Sequence, residues 1–191
     1  MSIETGDAAS LEAGGRFEWM LPFRGEGEAR HNASRLFVRD GWVYATDGVV
    51  AVRSPGEGGD YQGEIGDRVW DGVAGLNWPA LAEVGYRKCP QMVVPEPGWS
   101  CSQCRACVNK DFHERVPDRA WGVVRYGDVW LNEKYVRMVA KASGQVAAPS
   151  PTQPASLKFP AGGQGFLMPI NPSSIGGHVV AGDFNEGGSD A

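Results

Sequence analysis

The stretch from Arg35 to Arg53 restricts the fold more than any other part of the chain. RLFVR is followed by Asp40-Gly41, then WVYAT, then Asp47-Gly48, then VVAVR. An Asp-Gly pair between short β-rich runs is a strong hairpin signal. The tight turns that match the twist of antiparallel strands need left-handed backbone at both central residues, and Asp-Gly supplies it cheaply. Two such pairs in succession predict a three-stranded antiparallel meander. A further hairpin is expected at GVVRY, Gly127-Asp128 and VWL, with glycine first in the turn.

Two helices are expected around these strands. One covers about 78–87, WPALAEVGYR, with Asn77 as its cap and Pro79 in its first turn, where a missing N–H costs nothing. The other covers about 133–142, EKYVRMVAKA. Asn132 caps it, Glu133 suits its positive end, and Gly144 offers a stop. Tyr135, Met138, Val139 and Ala142 recur at helical spacing and define its apolar face. Strands follow at about 155–159, ASLKF, and 165–170, GFLMPI. The order of elements is an α+β pattern of antiparallel strands with two helices.

The 191 residues suit one domain with appendages, and 42% hydrophobic against 21% charged residues suits a folded chain. Residues 1–15 read as disordered, 16–170 as the folded domain with a Cys-rich insertion at about 88–117, 143–155 as a loop, and 171–191 as a flexible tail. No apolar run has the length of a membrane span. The first residues, MSIETGDAAS, lack the basic-then-apolar order of a secretion signal, so a soluble, cytoplasmic protein with no membrane partner is expected. A formal net charge of −5 excludes a protein coated in basic residues, but a local basic stripe can still act within an acidic whole.

Cys101, Cys104 and Cys107 are spaced C-x2-C-x2-C, and Cys89 stands upstream. In an intracellular chain clustered thiols point to metal rather than to disulfides. A soft, anionic donor set of this kind suits Zn2+, with Cys89 as the fourth ligand and His113 as its substitute. The same spacing with a remote Cys89-Pro90 also matches iron–sulfur ligation, so the cluster stays open as the alternative. In either form the metal pins a polar loop and leaves no protein position open for catalysis.

Lys134, Arg137 and Lys141 are three and four residues apart and share one helix face, and Arg87 and Lys88 could extend it. Such a stripe suits contact with phosphates, and equally suits the solvated side of an ordinary amphipathic helix. The tryptophans run from Trp19 to Trp130 without common spacing, which favours core packing over base stacking. His31, His113 and His178 lie far apart. No paired-acid, nucleophile–base or phosphate-loop motif stands out, so no enzymatic activity is expected. Asp47 is explained by its turn.

Two segments resemble the bacterial DNA sliding clamp, the β subunit of DNA polymerase III. Residues 27–53 are similar to a clamp strand ending in Ala-Thr-Asp-Gly, here Ala45, Thr46, Asp47 and Gly48. The family usually continues with His-Arg-Leu-Ala, whereas this chain has Val49, Val50 and Ala51 and loses the basic residue. Residues 131–170 are similar to the end of the last clamp domain, through Asn132, Lys134, Tyr135, Pro154, Leu167, Met168 and Pro169. The resemblance covers roughly a third of the chain. A clamp protomer has three domains and this chain has material for about one. The cysteine loop is foreign to the cellular clamp, and a trimmed, insert-bearing form fits a phage-encoded version acting in the host cytoplasm.

The resemblance implies a clamp-like processivity or replication accessory protein. It would contact duplex DNA without sequence preference through Lys134, Arg137, Lys141, Arg87 and Lys88. It would dock DNA polymerase or other replication proteins in a peptide pocket at Leu167, Met168, Pro169 and Ile170. One domain cannot encircle DNA, so sliding would require a homo-oligomer. The alternatives are a monomeric clamp-derived adaptor or inhibitor that binds a protein through the metal loop and no DNA, and an iron–sulfur redox protein.

Overall fold

The computed structural model describes residues 15–25, 36–56, 67–78, 85–91, 122–171 and 179–184. The fold is mixed α+β, dominated by antiparallel sheet. A 3-10 helix, Glu18–Phe23, precedes β1 (Phe37–Arg39), β2 (Trp42–Thr46) and β3 (Val50–Pro55). Helix α1 (Asp67–Ala74) and the short β4 (Arg87–Lys88) follow. Next come β5 (Gly122–Tyr126), β6 (Val129–Asn132) and helix α2 (Glu133–Lys141). Strands β7 (Gln145–Ala147), β8 (Ala155–Lys158), β9 (Gln164–Leu167) and β10 (Val179–Asp183) complete the described chain.

The strands form a seven-stranded sheet, ordered β1-β2-β3-β9-β8-β7-β4, and a three-stranded sheet, ordered β10-β5-β6. The large sheet is buried on both faces over β1–β3 and β9, so its strands alternate between two cores rather than between core and water. Val43, Ala45, Val50, Val52, Leu157 and Leu167 point to one side, where they meet the 3-10 helix, α2 and the small sheet in the main core. Phe37, Tyr44, Ala51 and Phe166 point to the other side and meet Val73 of α1 and Trp78. The second core is largely aromatic. Phe37 stacks on Tyr44 at 5.1 Å, and Trp70 meets both edge-on at 5.8 and 5.5 Å. The aromatic pairs contribute about 0.5–1.5 kcal/mol each beyond the area they bury.

The meander forms in the expected place, with Arg39 opposite Trp42 and Thr46 opposite Ala51. The Gly127-Asp128 hairpin also forms, closing Tyr126 against Val129, with Gly127 left-handed at φ 57°. Helix α2 starts at the expected cap, since the Asn132 side chain accepts the Lys134 N–H at 2.9 Å. Its last turn closes through Ser143 at φ 55° and the Gly144 N–H donated to Val139. Gly144 itself leaves room for packing, because a Cβ there would lie 2.7 Å from Val139 and Phe159.

Four expectations are corrected, the first being the loop at 143–155, inside which Gln145–Ala147 forms β7. Tyr86 is not helical and Arg87 lies in β4, so no helix reaches 87; residues 79–84 lie outside the described residues. The helix on that side of the sheet is instead α1, read as no element in the sequence. The segment 171–191 is not a loose tail throughout: Val179–Asp183 is β10, and it pairs parallel to β5, a departure from an all-antiparallel fold. Asp183 is buried and bonded to Arg125 at 2.7 Å, and Phe184 packs on Tyr126 at 5.1 Å in the main core. Residues 1–14 and most of the Cys-rich stretch lie outside the described residues. Among the described residues no helix is long and apolar enough to cross a membrane.

Candidate functional site

The site is built around the second Asp-Gly pair, which makes a different turn from the first. Asp47 is not left-handed, and only Gly48 is, at φ 88°. The loop is closed by side chains. Asp47 Oδ1 accepts the N–H groups of Val49 and Val50 at 2.9 and 3.0 Å. Thr46 Oγ1 donates to the Val50 carbonyl at 2.7 Å and accepts from Gly48 N–H at 3.1 Å. Short polar side chains that bond their own backbone in this way replace the hairpin ladder over one turn.

The second oxygen of Asp47 reaches another part of the chain. Tyr135 Oη, in the first turn of α2, donates to Asp47 Oδ2 at 2.5 Å, the short range of a charge-assisted bond. Burial, and then the bond to Asp47 and its charge, raise the Tyr135 phenol above its ordinary pKa. The proton therefore stays on tyrosine, and Asp47 is the acceptor for all three bonds.

The same loop meets the end of β9. Met168 N–H donates to the Val49 carbonyl at 3.0 Å, and two residues on Ile170 N–H donates to Trp130 on β6 at 2.8 Å. Val49 and Met168 are 41% and 47% exposed, the large hydrophobic residues most open to solvent among those described. Pro169, Ile170 and Trp130 beside them are half-buried. An apolar patch thus sits where the meander, the small sheet and the end of β9 join. Leu167 does not contribute to it: the residue is fully buried in the main core.

The basic residues divide. Lys134 and Lys141 are exposed on α2. Arg137 is half-buried and tied through Nε and Nη2 to Glu133 one turn earlier, so much of its charge is satisfied within the helix. Arg87 stacks on Tyr126 of the small sheet at 5.0 Å, on the α2 side of the large sheet. Lys88 is the next residue in the strand and projects to the opposite face. It does not join the α2 stripe.

Cys89 is half-buried against the main core, with its Sγ–H directed to the Gly144 carbonyl at 3.7 Å. Burial pushes its thiol up to about 12. Cys101, Cys104, Cys107 and His113 lie outside the described residues. Among the described residues no group of three or more His, Cys, Asp or Glu side chains is placed to hold a metal ion.

Of the residues expected at a peptide pocket, Met168, Pro169 and Ile170 border the exposed patch and Leu167 is buried, whereas Val49, Trp130 and the Asp47–Tyr135 bond were not expected there. The signal was present in Ala-Thr-Asp-Gly and Asn-x-Lys-Tyr, but Asp47 and Tyr135 are 88 residues apart and local turn chemistry already accounted for Asp47. No family model, no curated protein and no solved structure matches the chain.

Proposed function

We propose that this chain is a clamp-like replication accessory protein that docks a partner's peptide on the Val49–Met168 patch and lays α2 on duplex DNA. One observation carries the reading. The two segments that bear the resemblance are far apart in sequence, yet Tyr135 and Met168 of the second both bond directly to the Asp47–Val49 loop of the first. A core strand alone would not leave Met168 half exposed beside an exposed Val49. The exposed apolar side chains of Val49 and Met168 favour a peptide with aliphatic or aromatic anchors.

On α2, Lys134 and Lys141 present charge without base-reading groups, as contact with any duplex sequence requires. Binding by one copy is weak and rises if several copies surround the duplex. A labelled-duplex titration at low salt, over a range of protein concentrations, tests this. Lys134→Ala and Lys141→Ala should each lower the log–log salt slope by about 0.9, and Lys134→Glu with Lys141→Glu should abolish binding. Docking is tested with a labelled peptide carrying the clamp-binding segment of a replicative polymerase, which should bind wild type and not Met168→Glu.

The adaptor reading, with a protein partner and no DNA, draws support from Arg137. Its pairing with Glu133 leaves two exposed cations on α2 in a chain of net charge −5. Absence of duplex binding with retained peptide docking selects it. The cysteine loop completes the proposal as a structural zinc site of Cys101, Cys104 and Cys107. Cys89 is the natural fourth ligand, with His113 as its substitute. Metal analysis should give about one zinc per chain, retained in Cys89→Ser if histidine is the ligand. A brown protein would instead indicate an iron–sulfur cluster.

A further inference from the structure

The face of the large sheet opposite α2 carries a row of side chains that clamp-like docking does not use. Residues directly opposed in an antiparallel ladder project to the same face. Arg53 of β3 is opposite Gln164 of β9, Gln164 opposite Lys158 of β8, Lys158 opposite Gln145 of β7, and Gln145 opposite Lys88 of β4. Cation and amide therefore alternate across five strands, with charges about 10 Å apart in a row about 19 Å long.

The row is ordered at one end and open at the other. The Arg53 guanidinium lies between the Trp42 and Trp78 rings at 4.1 and 4.3 Å, and its Nε and Nη2 donate to Gln164 Oε1 at 3.0 and 2.8 Å. Lys158 and Lys88 are exposed, and the Lys158 ammonium stands 5.8 Å from the half-buried Tyr86 ring. The strand residues described on this face include no carboxylate, in a chain whose net charge is −5. The carboxylates of Asp67 and Asp71 belong to α1, which packs on this side of the sheet over the Phe37–Tyr44 end and not over Lys158 and Lys88.

We propose that this row is a binding surface for single-stranded nucleic acid, with the phosphate backbone crossing the strands over Lys158 and Lys88 and a base against Tyr86. The alternation of cation and amide fits a chain of phosphates joined by polar bases. A partly exposed aromatic ring beside the row offers a stacking platform of the kind sequence-tolerant single-strand binders use. An acidic peptide would match the charge but has no planar base to stack on Tyr86. The surface lies across the sheet from α2, so it is independent of duplex contact there.

The full-length chain should bind a fluorescein-labelled oligo-dT of about 15 nucleotides, long enough to span the row and its flanks. Two exposed lysines predict a log–log salt slope of about −1.4, at about 0.7 per neutralised phosphate of a single strand. Lys88→Glu with Lys158→Glu should lower affinity at least tenfold. Tyr86→Leu should weaken binding about tenfold with the slope unchanged. Lys134→Glu with Lys141→Glu should leave oligo-dT binding unaltered, which separates this surface from α2 even if the duplex reading fails. The proposal is overturned if wild type does not bind oligo-dT at low salt, if the Lys88/Lys158 variant binds as well as wild type, or if poly-glutamate competes as effectively as oligo-dT. The last outcome would reassign the row to an acidic protein partner.

Discussion

The chain uses Asp-Gly twice within nine residues, Asp40 to Gly48, and makes two unlike turns from it. Asp40-Gly41 is a two-residue hairpin with both residues left-handed, at φ 50° and 75°, as the twist of the flanking strands demands. Asp47-Gly48 opens a wider loop in which only Gly48 is left-handed and the aspartate side chain holds the backbone. The first turn is met within the meander, where the Gly41 carbonyl accepts the Gly56 N–H from the end of β3 at 2.9 Å. The second takes a bond from Tyr135 on α2, gives its Val49 carbonyl to Met168, and borders the apolar patch. The same dipeptide thus serves chain reversal in one place and assembly of a site in the other. What distinguishes them is the partner that arrives from far away in sequence.

The largest effect should come from Asp47→Ala. It leaves Val49 N–H, Val50 N–H and Tyr135 Oη without their acceptor. Hydrogen bonds to a charged group contribute about 1.5–3 kcal/mol each and do not add fully, so a loss of about 3 kcal/mol is expected. That corresponds to a fall in Tm of roughly 6–12 °C, readable by calorimetry. Peptide docking at Met168 should fall as well. If Asp47→Ala melts like wild type, the two turns are alike and the site reading loses its anchor.

Tyr135→Phe sharpens the comparison by removing only the distant partner. The turn keeps both backbone bonds, and the expected loss is about 1–2 kcal/mol. A double-mutant cycle with Asp47→Ala should return coupling above about 0.5 kcal/mol, since the two groups are in direct contact. The pair also has a pH signature. Burial and the bond to Asp47 raise the folded phenol above its unfolded value of 10.0. A folded pKa above the unfolded one means that stability is fully present below pH 10 and is lost as pH rises above it. Tyr44, Tyr86 and Cys89, all raised chiefly by burial, share this alkaline limb. Tyr135→Phe should reduce the steepness of denaturation above pH 10 without removing it.

The same contrast explains which parts of the fold were legible. The meander, the Gly127-Asp128 hairpin and α2 are specified by residues within a few positions of one another: a turn pair, a cap, a repeating apolar face. Helix α1 is not. Its DRVWDGVA holds an internal Gly72, and its place comes from Trp70 and Val73 packing on the Phe37–Tyr44 face, which exists only once the sheet has formed. The expected helix at 78–87 fails at its end because Arg87 is drawn, with Lys88, into pairing with β7, and tertiary pairing overrides a weak local preference. Strand β10 was hidden because VVAGD finds its partner in β5, more than fifty residues upstream, and its hold depends on Asp183 with Arg125 and Phe184 with Tyr126. In the site, Met168 was legible as part of an apolar strand end, but the burial of Leu167 and the exposure of Met168 follow from sheet register. The division of Arg87 from Lys88 follows from register too.

The smallest effect should come from Gly41→Ala, which tests the first turn alone. Gly41 is left-handed at φ 75°, and a Cβ there would meet no atom within 4 Å. Space is therefore not the cost. What remains is the preference of an L-residue against this backbone, about 1 kcal/mol, together with a small opposing gain from a less flexible unfolded chain. The net destabilisation should stay near or below 1 kcal/mol, a shift of a few degrees in Tm. Because nothing from α2 or β9 reaches this turn by a described hydrogen bond, peptide docking and the alkaline limb should both match wild type. A loss of docking in Gly41→Ala, at equal helicity and with the fold intact, would mean that the two turns communicate through β2. The division between a turn that reverses the chain and a turn that holds a site would then have to be given up.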